Sequence, residues 1–198
     1  MTSKTESEAL FESFCDAHRI SFKPVPTGKT RSPDYLVSLG GESVYFEVKQ
    51  IYADESFDTT QRHSSRTVGS HIRQKIADSR KQVQLGANEE VPCVLLVYNN
   101  LDPMQAFGTE PHDFVSAMYG EMTVVFKDNV ITDSFHGRNA FLRQGHNTSF
   151  SAVGHLSKMP AGPAVRLYEN VFARNRLNFS SVPACIEVVR IEVAENTA

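Results

Sequence analysis

Eight consecutive residues, Val91-Pro92-Cys93-Val94-Leu95-Leu96-Val97-Tyr98, carry no charge and almost no polarity. A run this short cannot cross a bilayer, which takes about 20 apolar residues. A strand with one wet face would alternate polar and apolar side chains, so the run predicts a strand buried on both faces, central in a sheet with helices packed over it. That requirement selects an α/β architecture. The 198 residues suffice for one domain with a sizeable core, and 40% hydrophobic against 22% charged residues is the balance of a soluble chain. A net charge of −3 excludes a general polycation, so any polyanion partner needs a local basic patch. The first ten residues hold Glu6 and Glu8 and no apolar segment. No signal peptide is expected, and the expected setting is cytoplasmic with no membrane partner. Cys15, Cys93 and Cys185 form no close pair and read as buried free thiols.

Around the central run the periodicities place further elements. Leu10, Phe11, Phe14 and Cys15 recur at helical spacing between Glu6 and His18, and Thr5 with Glu8 fits a capping box. Ile20 to Lys23 alternates as a strand, followed by strands over Asp34–Leu39 and Glu42–Lys49 joined by Gly40-Gly41. Gln50 to Val68 reads as a loop. Ser70 is expected to cap a second helix, with Ile72, Ile76 and Val83 on one face and a stop at Gly86. Beyond Asn100, Asp113–Tyr119 reads as helix and Met122–Phe126, Ala164–Tyr168 and Cys185–Val193 as strands, while Ser134 to Asn147 reads as a polar loop in which Arg138 and Arg143 could meet substrate or a second subunit.

The hairpin about Gly40-Gly41 carries the chemistry. Side chains alternate along a strand, so Val44, Phe46 and Val48 share one face and Tyr45, Glu47 and Lys49 the other, predicted to present an acid and a base. A tight turn pairs residue 39 with 42, so Asp34 falls opposite Glu47. Like charges so placed are destabilising, and such a pair must protonate once or hold a cation. Two hard oxygen donors suit Mg²⁺ or Mn²⁺ better than zinc. Lys49, on the same face as Glu47, could orient a water or stabilise charge on a phosphate.

Pro33-Asp34, a short gap, then Glu47-Val48-Lys49, in the order helix, strand, strand, strand, helix, buried strand, resembles the PD-(D/E)XK nuclease superfamily over about Thr5 to Asn100. The resemblance implies a restriction-endonuclease-like core over residues 1–100, a central mixed β-sheet flanked by helices, with residues 101–198 as a C-terminal α+β extension of the same domain for specificity or dimerisation. It makes Asp34 and Glu47 the metal ligands with the Val48 carbonyl a third, Lys49 the catalytic lysine, and Mg²⁺ or Mn²⁺ the cofactor. Many members add an acid from the first helix. Glu8 flanks the apolar stripe more closely than Glu12 and is preferred, although Glu8 equally fits the capping box. The implied activity is hydrolysis of phosphodiester bonds in DNA. An RNA nuclease, or a non-catalytic nucleic-acid-binding or assembly module on the same fold, is the alternative.

Arg62 to Lys81 holds six cations and one acid, a net of +5 that leaves −8 for the rest of the chain. Its first part follows the catalytic strand, so Arg62, Arg66, Arg73, Gln74 and Lys75 are the candidate phosphate contacts; Arg80 and Lys81 read as a solvated helix face. Nucleases of this size work as dimers when both strands are cut, so a homodimer or a partner protein for target recognition is compatible with the resemblance. No Gly-rich phosphate loop is present, so no nucleotide cofactor is expected.

Overall fold

The apolar run becomes β4 (Cys93–Asn99), every residue of which is buried. The computed structural model describes residues 4–26, 28, 31–52, 66–102, 104–105 and 107–192. Around β4, in chain order, lie α1 (Glu6–Ala17), β1 (Phe22–Pro24), β2 (Tyr35–Leu39), β3 (Glu42–Ile51) and α2 (Ser70–Asn88) before it, and α3 (Pro111–Tyr119), β5 (Glu121–Lys127), β6 (Val130–Arg138), β7 (Ala152–Met159), β8 (Gly162–Glu169) and β9 (Ile186–Val189) after it. Seven strands form one mixed sheet in the order β1-β2-β3-β4-β7-β8-β9, and β5 and β6 form a separate two-stranded sheet. β3, β4 and β7 run parallel, while β1-β2-β3 and β7-β8 are antiparallel.

Helices cover both faces. On one, Phe11, Phe14 and Cys15 of α1 pack with Val44, Phe46, Val48, Val94 and Leu96. On the other, Ile72, Ile76 and Val83 of α2 and Phe114 and Met118 of α3 pack with Leu95, Val97 and Val153. This is the reason β4 reads as a continuous apolar run: each of its faces meets a helical layer. The two halves of the chain share this sheet, because β7 hydrogen-bonds directly to β4.

Several local expectations need correction. The N-cap of α2 is Gly69, in the left-handed region at φ 72°, and Ser70 is already helical. The Gly69 N–H is instead received by the buried Asp113 carboxylate at 2.7 Å. α2 runs past Gly86, which is buried where a Cβ would strike the Cys93 sulfur and the Tyr45 ring. A glycine there reflects close helix-to-sheet approach, not a stop. Part of the polar stretch from Ser134 is strand β6, and β7 was not expected at all. The loop expected over 50–68 lies largely outside the described residues, and so does Arg62.

Candidate active site

Gly40 and Gly41 have φ values of 57° and 91°, the conformation of a two-residue turn that both glycines can adopt without steric cost. The turn sets the register: Leu39 pairs with Glu42 and Tyr35 with Phe46. One step beyond, the Asp34 N–H donates to the Phe46 carbonyl at 3.0 Å, which brings Asp34 opposite Glu47. The Val48 N–H then donates to Asp34 Oδ2 at 2.8 Å. The two acids are therefore positioned by backbone ladder geometry, not by flexible side chains.

Glu47 is only 1% exposed. The face of β3 expected to present it openly is instead roofed by α2, and Tyr45 packs into the second hydrophobic layer. Lys49 Nζ lies 2.5 Å from Glu47 Oε1 as an ion pair, yet neither Glu47 oxygen receives a well-directed hydrogen bond from the described residues. Burial, then the neighbouring Asp34 charge, push the Glu47 pKa up to about 7 despite Lys49. Burial likewise raises Asp34, opposed by the Val48 N–H and by Lys49. Burial works to lower Lys49, but Glu47 and Asp34 outweigh it and hold the ammonium above its ordinary pKa.

A cavity of about 610 Å³ opens here between the N-terminal turn of α1, the end of β3 and α2. Glu8, Asp34, Val48, Lys49 and Lys75 line it, together with Arg31, Asp78, Lys81 and Gln82, which the sequence reading did not assign to the site. Lys75, Asp78 and Gln82 stand at i, i+3 and i+7 on α2 and so share one helix face, a spacing visible in the sequence once α2 is placed beside β3. The side-chain oxygens of Gln50 and Gln82, both on the cavity wall, are buried and lack a hydrogen-bond partner among the described residues, as do those of Glu47. Lys49 answers only Glu47 Oε1, and without a well-directed bond; buried acceptors so poorly matched are costly, and an oxygen-ligated cation with its waters would satisfy them.

Glu8 both lines the cavity and closes the capping box, with Thr5 N donating to Glu8 Oε2 at 2.6 Å. Glu12 is turned elsewhere, accepting from the Tyr35 hydroxyl at 2.9 Å and pairing with Lys4. The basic segment divides. Lys75 reaches the cavity, over the Tyr52 ring at 5.3 Å. Gln74 is exposed and does not line the cavity. Arg73 is buried, donating to the carbonyls of Val68 and Ser116 at 2.5 and 3.2 Å. Arg66 is held by Asp113 and by Glu110.

Arg66 and Asp113 therefore serve the junction of α2 with α3. Asp113 is fully buried, so Arg66→Ala leaves its charge without a counterion, although its bonds from Gly69 and Glu110 remain. The expected loss is about 2 kcal/mol of unfolding free energy, read by denaturant titration. Unchanged stability with weakened nucleic-acid binding would instead give Arg66 a phosphate-contact role. The ligand atoms of Glu110, His112 and Asp113 lie within 4.8 Å of one another and could hold an ion, but Asp113 already accepts from Arg66 and two backbone N–H groups.

Comparison of the chain with protein-family models, with curated proteins and with solved structures found no match.

Proposed function

We propose that the protein is a Mg²⁺- or Mn²⁺-dependent nuclease with a restriction-endonuclease-like core, cutting phosphodiester bonds in DNA. The observation that carries this reading is the half-buried Asp34 opposite the buried Glu47, with Lys49 paired to Glu47, at a cavity that Asp34 and Lys49 line and that further cations border. The donor set fits a hard divalent ion: the Asp34 carboxylate and the unpartnered Gln50 and Gln82 amide oxygens line the cavity, the buried Glu47 lies opposite Asp34 without lining it, and no His or Cys is among the described residues that line it. Asp34 and Glu47 would hold it, with the Val48 carbonyl beside them. When bound, such an ion lowers the pKa of a water and stabilises negative charge on phosphorus.

The chain's own groups do the rest. Asp34 is oriented by the Val48 N–H, so its remaining lone pairs point away from the backbone. Lys49 stays protonated and can donate to an attacking water or to a phosphate oxygen. Arg31, Lys75 and Lys81 line the cavity and suit flanking phosphates. Asp78 and Glu8 on opposite walls keep the cavity from being uniformly positive.

The test is incubation with linear, circular, single-stranded and branched DNA and with RNA, each with and without Mg²⁺. Cleavage of DNA that requires the metal is expected. RNA outcompeting DNA would reassign the substrate, and binding without cleavage of any substrate would favour the non-catalytic module.

A further inference from the structure

Tyr52 follows β3 directly and lines the same cavity as Asp34 and Lys49. Its neighbour Ile51 ends the strand inside the second hydrophobic layer, 1% exposed, whereas Tyr52 is 62% exposed. The chain leaves the core at this step and carries an aromatic ring to the cavity wall, the one such ring among the described residues there. A single exposed ring is ordinary on a protein surface. Its surroundings are not. The Lys75 ammonium stands over the ring, 5.3 Å from its centroid, within the range of a cation–π contact. Lys75 is itself only 8% exposed, and a charge stripped of water in this way holds an aromatic face more strongly.

Resting on the nuclease reading of the cavity, we propose that Tyr52 is a stacking platform for an unpaired base, which makes single-stranded DNA, or the frayed end of a duplex, the substrate class of this site. Proteins that hold single strands combine cations that follow the phosphates with aromatic rings on which bases stack. Both parts meet here within the reach of one nucleotide, since a phosphate on Lys75 leaves its base beside the ring. In a duplex each internal base is already stacked between its neighbours, so the ring gains a partner only from a base that has left the helix, a step that costs least where the strand is already single. Charge alone would hold a polyanion weakly: the described cavity wall carries four cations against three acids. A stacked base adds attraction that does not depend on that balance. The volume of about 610 Å³ is in the range of small-ligand pockets, room for a nucleotide unit.

The test compares wild type, Tyr52→Leu and Tyr52→Phe on a linear single strand and on a blunt duplex of the same sequence with G·C-rich ends. Cleavage with Mg²⁺ is read as kcat/KM and binding without metal as Kd by fluorescence anisotropy, with thermal melting to confirm that each variant is folded. Wild type is expected to favour the single strand by at least about 10-fold in both. Tyr52→Leu should reduce that ratio by about 10-fold, through KM and Kd and not kcat, while Tyr52→Phe, which keeps the ring, should retain it. A wild-type preference for the duplex, an equal loss on both substrates in Tyr52→Leu, or a ratio that Tyr52→Leu leaves intact overturns the proposal. Failure of the nuclease reading shows separately, as no cleavage of either substrate by wild type with Mg²⁺. Binding then decides: a single-strand preference that falls in Tyr52→Leu and survives in Tyr52→Phe upholds the platform, and its absence overturns it.

Discussion

Lys49→Ala, Glu47→Ala and Asp34→Asn should each lower metal-dependent DNA cleavage on the order of 10³-fold, the scale set by removing one positioned charge-stabilising group. The three need not lose stability. Asp34→Asn keeps an oxygen to accept the Val48 N–H, now at 2.8 Å. Glu47→Ala removes a buried carboxylate whose burial is unfavourable. Lys49→Ala leaves Glu47 without its ammonium, but a group already poised near neutrality can take up a proton instead of staying charged. Single-turnover cleavage and thermal melting on the same preparations separate the two effects. Full activity in Glu47→Ala would remove the basis of the proposed mechanism, and simultaneous loss of fold and activity in all three would reduce the pair to a structural feature.

The second large effect is a pH-dependent stability that the metal should erase. In the metal-free protein the Glu47 pKa rises from 4.5 to about 7 on folding. The folded state then binds the proton more tightly than the unfolded chain, so its contribution is full below pH 4.5 and is lost as pH rises through 7. The loss amounts to about 3 kcal/mol, or about 6 to 12 °C in Tm for a chain of this size. Asp34, shifted in the same direction, adds to the same trend. Mg²⁺ at pH 8 should restore the lost stability, because an ion bound only by the folded state stabilises it. At pH 5 a protonated Glu47 should leave little for the metal to gain. Glu47→Gln should flatten the profile and abolish the metal effect, as followed by calorimetry from pH 5 to 8. The same slope in Glu47→Gln would place the titration elsewhere.

Much of the acid pair is legible in the sequence, because a two-residue glycine turn leaves a single register. Leu39 with Glu42 fixes Tyr35 with Phe46, and hence Asp34 beside Glu47. The burial of β4 was legible for a similar reason, since nothing but a doubly covered strand needs such a run. What failed has physical causes too. Ser70 offered an ordinary cap, but Asp113, 44 residues away, supplies the acceptor for Gly69, a tertiary contact that local sequence does not encode. Arg66 and Arg73 counted as free charge, yet Arg66 is held by carboxylates and Arg73 by backbone carbonyls. Charge summed along a chain does not say which cations reach solvent. β6 escaped notice because all of it is exposed, leaving no alternation to detect. β7 begins Ala152-Val153-Gly154-His155; its glycine is there because a Cβ would meet the Arg166 carbonyl at 2.6 Å, which weakens the strand signal it belongs to.

The central claim is that Asp34 and Glu47 form a divalent cation site, and a crystal soaked in Mn²⁺ tests it most directly through the anomalous signal of the ion. A peak between the two carboxylates is expected, with the Lys49 ammonium displaced from its 2.5 Å contact with Glu47. A fully soaked crystal with no ion there, or with Mn²⁺ bound only at Glu110, His112 and Asp113, would contradict it.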